Sequence, residues 1–190
     1  HHIINQIAKQ EEDLNTLRDY FYEQNERYES DDIRMFFTTN HDENSWNGTV
    51  YDRLGEAHLM YFVLAATFQN GMPLIYSGQE ASLNHQLSFF GKDQIDWSNE
   101  ELVEFYTKAL ALKHVNPALW NGNYGGKMQL LEASNGHQIL AFSREKEGNK
   151  VIVIINASSE VGETQIEDQT FVAGEYYDWF EQKASNITPE

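Results

Sequence analysis

The stretch RMFFTTNHDENSWNG, residues 34–48, decides how the chain is read. Its first half is aromatic and β-branched, the composition of a strand with both faces covered. It stops at Asn40-His41-Asp42-Glu43, four side chains that bind hydrogen or handle protons. In a parallel sheet covered by helices, side chains that do chemistry gather where strands end and loops begin. A second short apolar run, residues 72–76, ends in Ser77-Gly78-Gln79-Glu80. Two strand ends thus bring polar groups to one edge. A strand followed by Asn-His-Asp is also a common way to cap a turn, so the motif alone leaves both readings open.

Around these strands the pattern is helical. Residues 3–29 contain no glycine or proline, and Ile3, Ile7, Leu14, Leu17 and Phe21 recur at helical spacing, giving a long amphipathic helix with a possible break in its middle. Asn47-Gly48-Thr49 reads as a turn and cap, and residues 51–69 as a buried helix closed at Asn70-Gly71 by a left-handed glycine. Ser98-Asn99-Glu100-Glu101 has capping-box spacing before a third helix, which stops at Asn116-Pro117. Beyond residues 122–127 the period changes. Residues 128–133 and 137–144 flank Ser134-Asn135-Gly136 as a hairpin. Residues 151–156 suit a central strand, and 163–166 and 176–180 are further strands. The expected fold class is therefore α/β plus all-β: residues 1–122 form an α/β part, and residues 123–190 a smaller antiparallel part.

Composition excludes several functions. Of 190 residues, 30 are acidic and 13 basic, a formal charge of −17 that repels nucleic acid and anionic membranes. No apolar run approaches the roughly 20 residues that span a bilayer, so no membrane segment is expected, and the first residues lack a signal-peptide pattern. Without cysteine there is no disulfide or thiolate chemistry.

Two ordered motifs carry a resemblance. Phe37-Thr38-Thr39-Asn40-His41-Asp42, followed by Gly71-Met72-Pro73-Leu74-Ile75-Tyr76-Ser77-Gly78-Gln79-Glu80, resembles the later part of an alpha-amylase family (family 13) glycoside hydrolase. The run Phe89-Phe90-Gly91-Lys92-Asp93-Gln94-Ile95-Asp96-Trp97 and Asn116-Pro117-Ala118-Leu119 continue in register. The resemblance implies the last part of a (β/α)8 barrel, two parallel strands with three helices, followed by a C-terminal antiparallel β-sandwich that is incomplete, with no closing apolar strand after Trp179. It implies that Asp42 is the catalytic carboxylate stabilising the transition state, and that His41 and Asn40 bind the sugar. Cleavage through an oxocarbenium-like state makes a fixed carboxylate and hydroxyl-binding groups sensible. Retaining hydrolysis also needs a nucleophile and a general acid roughly 5 to 5.5 Å apart. In the family these lie upstream of anything here, so the chain alone is expected to be inactive. An Asp42–Glu80 dyad is the lesser reading, because the resemblance gives Asp42 another role.

The remaining residues have two readings each. Trp46 is a sugar-stacking ring or a loop anchor. Tyr76 reads as strand packing, Glu80 as a loop acceptor, Arg34 and Arg53 as partners of carboxylates, and His58 as a satisfied core histidine. His41, Asp42 and Glu43 leave the strand in different directions, so no metal is expected in this segment; calcium belongs to the parent enzyme if anywhere. The implied partners are an alpha-glucan polysaccharide or oligosaccharide and the missing N-terminal part of the same protein, and the implied setting is extracellular or periplasmic. Open sheet edges add the expectation of self-association, unless the first helix covers them. The competing reading is a non-catalytic glucan-binding or scaffold module.

Overall fold

The protein is described by a computed structural model covering residues 1–161, 163–167 and 174–187. The glycine-free opening forms two helices, α1 (His2–Ala8) and α2 (Leu14–Arg27). They are separated where Gln10 takes a positive φ of 60°. Asp13 ends the break by accepting a hydrogen bond from the Asn15 amide at 2.8 Å, so its carboxylate serves better as a cap than inside one long helix. Ile4, Ile7, Leu14, Leu17 and Phe21 are buried on one side.

Strand β1 (Arg34–Phe36) follows, then α3 (His41–Asn47), α4 (Val50–Leu54), α5 (His58–Thr67) and β2 (Gly71–Pro73). The two strands pair in parallel, Met35 opposite Met72. Both are shorter than expected, and one face is open: Ile33, Met35 and Met72 are 54, 52 and 46% exposed. The other face is closed because Phe36 packs edge-on against Phe68, which in turn meets Phe21. The helix expected over residues 51–69 is split by a 3-10 turn at Gly55–Ala57, where Gly55 has φ 55°. At its end Asn70, not Gly71, takes the left-handed conformation. Asn70 can do so because its side chain is held at both ends, donating to Ser30 O at 2.9 Å and accepting from the Gly122 amide at 2.8 Å. Gly71 is needed for space instead: a Cβ there would lie 2.7 Å from the Phe36 ring.

Helix α6 (Val103–Val115) starts after the anticipated capping box, which does not form; Asn99 accepts from the Glu101 amide in a local turn. Tyr106, Ala109 and Leu112 are its buried face. Strands β3 (Met128–Ala133), β4 (Ile139–Lys146), β5 (Asn149–Asn156) and β6 (Ile166–Glu167) make an antiparallel sheet in the order β5-β4-β3-β6. The hairpin at Ser134-Asn135-Gly136 is present. Among the described residues the apolar run 151–156 is an edge strand, not a central one, and Ile154 is 53% exposed. Its inward partners Val153 and Ile155 account for the β-rich sequence. The stretch after Trp179, where no closing apolar strand is expected, holds a polar one, β8 (Lys183–Ile187), which pairs with β7 (Gly174–Asp178). This hairpin leans on α6: the Trp179 indole donates to Lys108 O at 2.9 Å, and Phe180 stacks on Phe105.

One apolar core runs from α1, α2, α4 and α5 into β3, β4 and β5. At its border sits Arg144 of β4, fully buried. Its Nε donates to Gly126 O at 2.9 Å, its Nη1 to Thr67 O at 3.0 Å, Phe68 O at 3.4 Å and Leu119 O at 3.3 Å, and its Nη2 to Trp120 O at 2.6 Å. All these acceptors are carbonyls. Burial pushes its pKa down to about 10, which leaves it charged at neutral pH. Nearby Lys113 donates to Leu119 O at 2.8 Å and Asn121 Oδ1 at 3.1 Å, and burial, aided by the Arg144 charge, pushes it down to about 8.

Replacing Arg144 by Met should leave the Thr67, Trp120 and Gly126 carbonyls without their side-chain donor at about 1–3 kcal/mol each, partly offset by relief of the buried charge. The expected loss is about 3–5 kcal/mol in urea unfolding, and a loss below about 1 kcal/mol would contradict this role. A second prediction concerns His58, 2% exposed, with its Nδ1 unpartnered and its ring edge-on to Tyr51 at 4.6 Å. Burial lowers its pKa below the ordinary 6.5, against the opposing charge of Glu56. As pH falls through 6.5 the unfolded chain takes up a proton that the folded chain refuses, so stability declines toward acid. His58→Phe should remove that part of the decline, seen as a shallower fall of the urea midpoint below pH 6.5.

Candidate functional site

Asn40 ends the extended segment and caps α3, its Oδ1 accepting from the Glu43 amide at 2.8 Å. Acidic residues at Asp42 and Glu43 suit the first turn of a helix. The motif therefore leaves the strand as a helix start rather than as a loop. His41 and Asp42 are its first two residues and stay in solvent, with side chains 64 and 59% exposed and Nε2 to Oδ2 at 3.5 Å. Glu43 turns the opposite way. It is 9% exposed and meets Arg53 at 3.6 Å and His1 at 3.1 Å. Asn47 donates to it at 3.3 Å. The three consecutive residues thus diverge. Among the described residues no three of His, Asp or Glu gather in a way that could hold a metal ion.

Below the rim, Gln79 joins the two motifs. Its Nε2 donates to Thr38 Oγ1 at 3.0 Å and to the Tyr106 hydroxyl at 3.2 Å, while its Oε1 accepts from the Tyr76 amide at 2.8 Å. Thr38 and Gln79 are buried, so these bonds form in a low-dielectric setting where unpaired groups would be costly. Arg53 donates to Thr38 O at 2.9 Å, to Gly48 O at 3.3 Å and to Asn5 Oδ1 at 3.2 Å, fixing the carbonyl side of the same segment. The ends of β1 and β2 consequently lie on one edge. Glu80 accepts from the Gly78 amide at 3.2 Å, as a turn acceptor. Tyr76 is half-buried, and burial raises its phenol pKa.

Arg53 is the carboxylate partner the sequence suggests, but Arg34 is not. It donates to Gln24 Oε1 at 2.6 Å and lies over the Tyr28 and Phe36 rings at 5.0 and 5.7 Å. Gln24 stands on the facing turn of α2, closer than any acid. His58 is buried as expected but not satisfied at Nδ1.

One feature had no sequence signal. The chain after Gly78 folds back onto α3 and is laced to it. Asn44, 2% exposed, donates to His85 O at 3.2 Å and accepts from the Leu87 amide at 2.8 Å. Ser45 donates to Leu87 O at 2.8 Å, and Thr49 to Asn84 Oδ1 at 2.9 Å. This brings Phe89 to 5.3 Å from Trp46 and 5.9 Å from His41, ring to ring. Trp46 is 61% exposed, a surface ring and not a buried anchor. An exposed carboxylate, an imidazole and aromatic faces now adjoin. Such a set can accept and donate hydrogen bonds to hydroxyls while covering an apolar ring face.

Comparison with known proteins bears on this arrangement. Residues 132–189 match the family model for the alpha amylase, C-terminal all-beta domain. Over 139 residues the chain is 26% identical to Alpha-amylase 2 of Dictyoglomus thermophilum, covering 65% of this chain and 22% of that protein. The fold matches the noncanonic maltogenic alpha-amylase AmyB from Thermotoga neapolitana with a TM-score of 0.84 at 16% identity, over 97% of this chain and 43% of that one. The chain spans less than half the length of either relative. Family match, curated relative and fold thus agree that residues 132–189 carry the alpha-amylase C-terminal all-beta domain and that the chain as a whole is similar to the C-terminal portion of alpha-amylases.

Proposed function

We propose that the chain is part of a retaining glycoside hydrolase that cleaves alpha-glucosidic bonds in starch-like glucans or maltooligosaccharides. In this reading residues 1–122 are the last part of a (β/α)8 barrel, and residues 123–190 its C-terminal β-sandwich. The observation that carries it is the exposed Asp42–His41 pair at the end of β1, on the same edge as Gln79 at the end of β2. Asp42 offers a fixed negative charge to a developing oxocarbenium ion, and His41 offers hydrogen bonds to ring hydroxyls. Asn40 acts through the helix it caps, by fixing where both side chains project. The nucleophile and the general acid come from the rest of the protein. So does the cover for Ile33, Met35 and Met72, which would face the remaining strands of the barrel.

In the complete protein, Asp42→Asn should lower kcat on maltooligosaccharides by about 100- to 1,000-fold with little change in KM, the pattern of an interaction made in the transition state. A kcat within a fewfold of the parent would remove Asp42 from catalysis. The pure 190-residue chain should release no reducing sugar from starch or maltoheptaose; saturable hydrolysis by it would refute the division of the active site. Because its apolar strand face is open, the chain should also self-associate with rising concentration in light scattering, and Met35→Lys should reverse this. A monomer at every concentration would show that this face needs no cover.

A further inference from the structure

Phe90 is 89% exposed, Trp46 61% and Phe89 39%, on a chain whose net charge is −17. Phe89 and Phe90 meet edge to face at 4.7 Å, and Phe90 stands 6.5 Å from Trp46. Their planes differ by 43 to 74°, so the rings form a ridged cup and not a flat patch. The cup is deliberately placed by a buried polar clamp, because Asn44 commits both ends of its amide to the segment that carries the two phenylalanines. It is continuous with the candidate site through His41, whose ring adjoins Phe89 and whose Nε2 faces Asp42.

We infer that Phe89 and Phe90, held beside Trp46 by Asn44 and Ser45, form a stacking subsite for one glucosyl ring of a maltooligosaccharide. This rests on the glucan reading of His41 and Asp42 and names a neighbouring subsite for it. A pyranose has an apolar C–H face and a hydroxyl rim. The cup supplies aromatic faces for the first, and the His41–Asp42 pair supplies donors and acceptors for the second. A second protein would use the rings but would also have to take the exposed Asp42 carboxylate out of water, which is unfavourable unless it brings a partner for it. Asn44 is a positioning residue in this account, acting through the rings.

The test is the affinity of the complete protein, held inactive by Asp42→Asn, for maltoheptaose by titration calorimetry. Phe90→Ala and Phe89→Ala should each weaken binding about fivefold, equivalent to about 1 kcal/mol, while Phe90→Trp should keep it. Phe90 is so exposed that its loss should leave the melting temperature unchanged, which separates stacking from folding. Asn44→Ala should weaken binding and also lower the melting temperature. Unchanged affinity in both phenylalanine variants, with weakening in His41→Ala, would overturn the subsite and leave the glucan reading standing. Indifference to all three substitutions, or no binding by the inactive parent protein, would overturn both. If Phe90→Ala instead turns an associated species into monomer in sedimentation without altering sugar affinity, the rings are a contact between copies and the inference fails.

Discussion

Arg144 is a cation that β4 carries into the interior, where it meets no carboxylate among the described residues. Five carbonyl oxygens, from the end of α5 and from residues 119–126, converge on it instead. Those carbonyls belong to chain ends and turns; Leu119 O also accepts from Lys113 and Phe68 O from the Gly71 amide at 3.1 Å, while the others turn to this cation to satisfy buried acceptors. The guanidinium satisfies them together, and its planar fork suits several directions at once where a lysine could serve one. Through it the end of the helix leading to β2 is tied to the centre of the antiparallel sheet. Where β2 stands, and hence where Gln79 can reach Thr38, follows from that tie.

The rim repeats the same logic on a smaller scale. Gln79 spans two strand ends and a tyrosine of α6, and Arg53 draws Thr38, Gly48 and Asn5 together. Buried amide and guanidinium groups of this kind are favourable only when nearly every donor is used. Their completeness leaves His41 and Asp42 outside the buried network, and both remain in solvent. Glu43, one residue further on, faces inward and serves the Arg53 network. The helical turn of about 100° per residue is what sorts these neighbours into outward and inward roles.

The strand pair shows the limit of local pattern. An apolar run such as 33–37 announces burial on both faces, but burial requires something on each side. Here Phe36 meets Phe68 at the end of α5, while Met35 and Met72 stay half exposed. The edge position of β5 makes the same point in reverse: Val151-Ile152-Val153-Ile154-Ile155 reads as central, although only its inward residues are covered. A β-rich run describes a good fit to a pleated surface, not a place within the sheet.

What the amino-acid order determined by itself is local: the helical spacing of Leu14, Leu17 and Phe21, the Thr49 cap, the Asn-Gly hairpin, the change of period past residue 122, and the two motifs that carry the likeness to alpha-amylases. These follow from contacts between residues close in sequence, or from patterns preserved in order. The left-handed Asn70, the carbonyl cage of Arg144 and the lacing of residues 84–87 to α3 were decided by tertiary structure. Each depends on a polar atom finding a partner tens of residues away, as Asn44 finds His85 and Leu87. The gathering of Trp46, Phe89 and Phe90 is of the same kind, since no spacing in the chain relates a ring on α3 to two rings in a later loop until the hydrogen bonds between those segments close.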